Sequence, residues 1–299
     1  MTFREYLKRA WPLYVMIVPG VIFVLLFRYY PMYGIVIAFQ DYSLAKGFLN
    51  SPWVGWENFE RLFSFAEFGR FLGNTVLIAV AKIVADQIGA VILALLLNEA
   101  RVILFRRSIQ TLVYLPHFLS WIVLGGILLD ILAPYGILNQ AIVNLGGERQ
   151  LFLGSNSWFR GTVILSGFWK NVGFSTIVYL AALTAINPTL HEAAAIDGAG
   201  RFRRIWHITL PGIRPTIVLL AALSLGDVLQ AGFEQILTLY SPAVYRTGDI
   251  IDTYVYRHGI VSAQYSLAGA VGLFKSFIGF FLIVSSYYLA DRYAGYRIL

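Results

Sequence analysis

The sequence predicts an all-α, polytopic membrane protein with six transmembrane helices, and three observations carry that prediction. Of its 299 residues 58% are hydrophobic and only 13% charged, about half the roughly 25% charge of soluble domains. Six apolar runs are each long enough to cross about 30 Å of hydrocarbon at about 1.5 Å per residue. Lysine and arginine are concentrated in alternate loops.

The first run, Leu13 to Phe27 with an extension towards Phe39, follows a basic start. It outlasts a signal-peptide core and lacks a clear small-residue cleavage site, so it is read as a retained span. The others are Phe71 to Leu97, Ile109 to Leu132, Gly161 to Ile186, Thr216 to Leu239 and Leu267 to Leu289. No polar stretch is left for a second domain, so residues 1–299 are read as a single transmembrane domain. No tandem repeat or low-complexity linker interrupts it.

Basic residues near a span are retained on the cytoplasmic side. The N-terminal tail carries Arg4, Lys8 and Arg9, the second loop Arg101, Arg106 and Arg107, the fourth Arg201, Arg203, Arg204 and Arg214, and the C-terminal tail Arg292 and Arg297, twelve in all. Seven lie opposite: Lys46, Arg61, Arg70, Arg149, Arg160, Arg246 and Arg257. Both termini are therefore expected in the cytoplasm, with Gly200 inside and Gly147 outside. The net charge of +7 follows from this topology, and no nucleic-acid partner is implied. The absence of cysteine excludes disulfides and thiol chemistry. Outer loops such as "SPWVGWENF" and "LFLGSNSWF" are rich in aromatic residues that suit interfacial anchoring or contact with an extracytoplasmic partner.

Ionisable groups inside spans are costly and so invite a functional reading. Lys82 and Asp86, four residues apart, are expected to pair on one helix face, and Arg28 to snorkel to the interface. Trp169, Lys170, Asn171 and Phe174 on the fourth span, Asp227, Gln230 and Glu234 on the fifth and Lys275 on the sixth combine aromatic rings with polar groups. Ser224, Asp227 and Glu234 recur at helical intervals that place them on one face. Two readings stay open: a sugar pathway, or internal ion pairs of Lys170 or Lys275 with Asp227 or Glu234. His117, after Pro116, is expected to be a hydrogen-bonded structural residue. No metal-ligating constellation stands out.

One cytoplasmic loop departs from the apolar pattern: "NPTLHEAAAIDGAGRFRRIWHITLPGIRP", beginning at Asn187. Asn187-Pro188-Thr189 stops one helix and starts another. Asp197-Gly198-Ala199-Gly200 breaks it, and a basic amphipathic piece, Arg203 to Ile208, leads to the next span. On physical grounds alone this projection suits docking into a protein groove and lying on anionic lipid about equally.

The loop resembles the cytoplasmic signature of permease subunits of ATP-binding-cassette importers: Glu-Ala-Ala, three residues, Gly, nine residues, Ile, one residue, Leu-Pro. It is matched at Glu192-Ala193-Ala194, Gly198, Ile208 and Leu210-Pro211 without a spacing error. "YYPMYGIVIAFQDY", "YLPHFLSW" and "IDTYVYRHG" are similar to segments of maltose-type carbohydrate permeases. The resemblance is closest to the branch that imports acidic oligosaccharides such as alginate or pectin fragments.

The resemblance implies a type I importer permease fold in the bacterial cytoplasmic (inner) membrane. Residues 187–214 would form the coupling loop, and Glu192, Ala193, Ala194, Asp197, Gly198, Ala199 and Gly200 would enter a cleft of a separate ATPase dimer. It also implies a second permease in a heterodimer, an extracytoplasmic solute-binding protein and an oligosaccharide substrate. This chain would carry no catalytic residue and no cofactor, ATP and magnesium being held by the ATPase; no "GxxxxGK[ST]" phosphate loop occurs in it. Two rivals stand beside this reading. A proton-coupled transporter would use Asp86, Asp227 and Glu234, and a membrane-embedded transferase would require a metal-binding carboxylate pair.

Overall fold

A computed structural model describes residues 3–294, with side chains from Ala10 to Arg292. Arg297 and the side chains of Arg4, Lys8 and Arg9 lie outside the described residues. In chain order the helices are α1 (Phe3–Val24), α2 (Gly47–Asn50), α3 (Glu57–Ser64), α4 (Phe68–Glu99), α5 (Ile103–Tyr114), α6 (Trp121–Leu132), α7 (Ile137–Asn144), α8 (Asn156–Thr184), α9 (Pro188–Ile196), α10 (Arg201–Arg204), α11 (Leu210–Gly226), α12 (Phe233–Leu239), α13 (Tyr245–Gly248), α14 (Ile251–Val255) and α15 (Tyr265–Ala294). Among the described residues extended backbone pairs only at one isolated bridge, Gln40 with Trp53.

Among the described residues six stretches are long and apolar enough to span a membrane: Ala10–Phe39, Phe68–Glu99, Trp121–Asn144, Asn156–Thr184, Arg201–Gly226 and Tyr265–Arg292. The first is longer than its α-helix because α1 runs on through a π turn, Leu25–Tyr29, into a 3-10 segment, Tyr30–Phe39, opened by Pro31. Arg28, in the π turn, is exposed.

Two of the expected spans are corrected. The third, Ile109 to Leu132, is interrupted at Leu115–Phe118, where a 3-10 turn containing Pro116 ends the α5 ladder. Proline lacks an N–H and its ring clashes with the preceding turn. The chain restarts at Ser120, whose hydroxyl caps α6 by accepting from Val123 N at 3.3 Å. The fifth, Thr216 to Leu239, ends at Gly226; residues 227–232 leave the helix and Gly232, at φ +94°, turns the chain before α12. A left-handed backbone of this kind costs little only at glycine. Ser224, Asp227 and Glu234 therefore do not share one helix face.

The chain separates into two compact units, Met1–Phe65 with Tyr256–Leu273, and Ala66–Val255 with Phe274–Leu299. In the first, Ala38, Phe59 and Ala270 form a small core. Asn58 Nδ2 donates to the carbonyls of Ala38 and Gln40, both at 3.0 Å, which gives buried backbone the partners it requires. Phe39 stacks on Trp53, and the exposed faces of Trp53 and Trp56 form the aromatic surface anticipated in that loop.

In the second unit α4 packs along α8. Half of the α8 span is buried, against 17% of the α4 span, so α8 is the more enclosed helix of the pair. Glycine allows close approach at two points: a side chain at Gly89 would overlap the Phe168 ring, and one at Gly173 the Val113 carbonyl. Two apolar clusters result, one around Ile78, Phe159, Val163 and Ile236, the other around Ala90, Ala94, Tyr179 and Ile213.

Candidate functional site

The polar loop after α8 is built from local chemistry. The Asn187 side chain accepts from Thr189 N at 3.0 Å and caps α9, with Pro188 in its first turn. At the other end Gly198 takes φ +76°. Gly198 N then donates to Ala195 O at 3.1 Å, and Ala199 N to Ala194 O at 2.8 Å, the closing pattern of a left-handed helix cap. Arg201–Arg204 and a π turn, Ile205–Thr209, lead into α11.

Glu192, Ala193, Asp197, Gly198 and Gly200 are exposed, and Ala194 and Ala199 half-buried. Ile196 and Phe202 are 88% and 89% exposed, which is costly for large apolar side chains left in water. No atom lies within 4 Å of where a side chain at Gly198 or Gly200 would begin. The loop thus presents a rigid helix with an apolar tip and a small-residue flank.

A cavity of about 200 Å³ opens among α4, α6, α8 and the 227–232 break. Asn171, Asp227 and Gln230, named from the sequence, line it. Lys82, Asp86 and Trp121 line it too, and the expected pairing of the first two with each other is corrected. Lys82 Nζ donates to Ala231 O at 2.7 Å and Gln235 Oε1 at 2.5 Å, and Asp86 Oδ2 accepts from Ser175 Oγ at 2.6 Å. Sequence could place both on one face, but the break that supplies the lysine's acceptors is 149 residues away.

The other candidates lie off the cavity wall. Lys170, 8% exposed, donates to the carbonyls of Leu119 at 2.5 Å, His117 at 2.8 Å and Pro116 at 3.3 Å, and its ammonium stands 5.6 Å from the Trp121 ring centroid. Lys275 pairs with Asp252 at 2.5 Å. The ion pairs of either lysine with Asp227 or Glu234 are not formed among the described residues, because backbone carbonyls and Asp252 are nearer. Glu234 and Trp169 are exposed. Phe174 stacks on His117, centroids 4.2 Å apart and planes 6° from parallel. His117 is therefore a stacked residue, and its Nδ1 has no hydrogen-bond partner, which corrects the hydrogen-bonded role expected for it. No group of three or more potential metal ligands occurs among the described residues.

With this geometry in place, the sequence matches the family described as binding-protein-dependent transport system inner membrane component, over residues 88–295. The chain belongs to that family. Its members are transport components, and this inner membrane component crosses the membrane several times. Among curated relatives, the polygalacturonan/rhamnogalacturonan transport system permease protein YteP of Bacillus subtilis (strain 168) is 45% identical over 94% of this chain and 88% of its own. Protein LplB of the same strain is 43% identical over 96% and 91%. A crystal structure of a bacterial ABC transporter involved in the import of the acidic polysaccharide alginate superimposes with a TM-score of 0.90 at 38% identity, covering 96% of this chain and 98% of that one. The six-span importer permease fold anticipated from the coupling-loop signature is the fold of this inner membrane component.

Proposed function

We propose that this chain is one of two permease subunits of an ATP-driven importer of oligosaccharides, with acidic, uronate-containing fragments as substrate. A solute-binding protein delivers the sugar from outside, a second permease completes the pathway, and an ATPase dimer that carries ATP and magnesium drives it from the cytoplasm. Both termini and residues 187–214 face the cytoplasm, and residues 1–299 act as one permease domain. Glu192 meets a basic group in the ATPase cleft, and the small residues Ala193, Ala194 and Gly198 permit close packing there.

The observation that carries this reading is the coupling loop: a capped, rigid helix whose largest apolar side chains are exposed, with the family's signature spacing on it. Such a surface is what a protein partner would cover. The acidic substrate is supported by the relatives, of which one is a polygalacturonan/rhamnogalacturonan permease and another belongs to an alginate importer. Asn171, Asp227 and Gln230 belong to the pathway wall, Trp169, Lys170, Phe174 and Glu234 to the helices that frame it, and Lys275 to α15.

Neutral oligosaccharides are the second reading. It is favoured by the engagement of Lys170 with backbone carbonyls and of Lys275 with Asp252, which gives each cation partners inside the protein. The two separate in a reconstituted complex. On the first reading, binding protein loaded with tetragalacturonate stimulates ATP hydrolysis and uptake well above a neutral tetrasaccharide; equal responses would establish the second.

A further inference from the structure

We infer that Asp86 and Lys82, with Trp121 beside them, form a subsite for sugar hydroxyls in the wall of the membrane cavity, with Asp86 Oδ1 accepting from one hydroxyl and Lys82 donating to its neighbour. The inference rests on the importer reading and adds the residues that hold the sugar and the groups they read.

Both side chains line the cavity, and each is anchored by neighbours while keeping one hydrogen-bonding position unmet. Asp86 Oδ2 is satisfied by Ser175, whereas Oδ1 is buried and has no hydrogen-bond partner. A buried carboxylate oxygen left in that state is destabilising until a donor reaches it. Lys82 has three N–H groups, of which Ala231 O and Gln235 Oε1 take two. Gln235 is itself fixed, 1% exposed, and donates through Nε2 to Val163 O and Ser166 Oγ, both at 2.8 Å. The ammonium is therefore held in a defined place with one donor to spare.

Two glycines make room for it. A side chain at Gly167 would begin 3.1 Å from Lys82 Cε, and one at Gly232 2.8 Å from Nζ. A lysine threaded between two glycines to the rim of a cavity, with neutral acceptors only, differs from Lys275, whose charge is met by a carboxylate.

The chemistry of the set selects its ligand. A carboxylate only accepts and an ammonium only donates, and a pair of adjacent hydroxyls can answer both. The indole of Trp121 offers an apolar surface for the C–H face of a pyranose ring. A ligand carboxylate fits less well, since Asp86 and Asp227 both line the cavity and Lys82 is one cation against two anions. Hydroxyls are common to acidic and neutral sugars, so this subsite grips the ring whatever its charge.

The test uses the complete complex of this chain with its partner permease, ATPase and binding protein in proteoliposomes. It reads sugar taken up per ATP hydrolysed, with tetragalacturonate and a neutral tetrasaccharide as probes. Asp86→Leu should lower that ratio roughly ten-fold, the scale of one hydrogen bond to a charged group. Asp86→Asn, which keeps an Oδ1 acceptor, should stay within about three-fold of wild type. Lys82→Met should fall as Asp86→Leu does. Should Asp86→Leu or Lys82→Met fail to assemble by gel filtration, Trp121→Leu, which leaves both sets of hydrogen bonds in place, should still lower the ratio.

Unchanged uptake per ATP in assembled Asp86→Leu or in Trp121→Leu overturns the subsite. An Asp86→Asn defect as deep as that of Asp86→Leu also overturns it, because it would show that the charge or a carried proton matters and the acceptor does not. If wild type carries only the neutral probe, the acidic substrate falls while the same variants still decide the subsite. If it carries neither, the importer reading and this inference fall together.

Discussion

Replacing Lys170 by methionine separates a structural cation from a substrate cation. The ammonium donates to three carbonyls at the break between α5 and α6. Pro116 O also accepts from Leu119 N at 3.3 Å, so His117 O and Leu119 O are the two that rely on the lysine. Two hydrogen bonds from a charged donor amount to about 3–6 kcal/mol. Removing the ammonium also relieves the cost of holding it out of water, which brings the net loss to about 2–4 kcal/mol. Methionine fills a similar volume and stays apolar, so no large cavity confuses the result. The assay is thermal unfolding of the purified complex in detergent, with uptake of acidic and neutral oligosaccharides run in parallel. The expected result is a melting temperature lower by several degrees, with the preference for acidic over neutral sugar unchanged among the complexes that survive. An unshifted melting temperature with a loss confined to uronate substrates would refute the reasoning and return Lys170 to the sugar.

At Gly198 the strain lies in φ +76° and not in crowding, since no atom of the chain lies near a prospective side chain. Gly198→Asn, which tolerates left-handed backbone, should keep sugar-stimulated ATP hydrolysis and uptake coupled, whereas Gly198→Val should lose coupling; an equal loss in both would mean that the ATPase surface excludes any side chain there. Glu192→Ala should weaken ATPase association by about 1.5–3 kcal/mol, measured by co-purification, and wild-type association would remove its coupling role. Topology can be read with single cysteines, because the chain has none: Gly200→Cys should resist an impermeant reagent in intact cells and Leu145→Cys should label. Leu145, 88% exposed, is a better outer site than Gly147, where a side chain would begin 2.8 Å from Ile142 Cγ2. For Lys275 and Asp252, a double-mutant cycle on complex stability should return a coupling of about 1 kcal/mol or more, and a value near zero would show that the 2.5 Å pair does not stabilise the α14 and α15 packing.

What the sequence determined by itself is whatever depends on neighbours in the chain or on the solvent. Six spans were legible because lipid demands long apolar runs whatever they pack against. The coupling loop was legible because Asn187, Pro188 and Gly198 act within a few residues of themselves, as cap, first turn and left-handed stop. Even so, Pro116 understated its effect: the sequence reads as a continuous third span, whereas the chain leaves the helix from Leu115 to Ser120. The fifth span gave less warning still, for Gly226 and Gly232 are tolerated in many membrane helices, whereas here Gly232 takes a left-handed turn and Ala231 O in the break accepts from the Lys82 ammonium of another helix. Tertiary structure alone decided which polar groups face the cavity. Lys82 and Lys170 look alike in sequence, each a lone cation in an apolar helix, but their acceptors lie 149 and about 50 residues away. A buried ammonium goes to whichever carbonyls and carboxylates the packing brings within 3 Å or so, and that choice is made between helices, where no local pattern of residues records it.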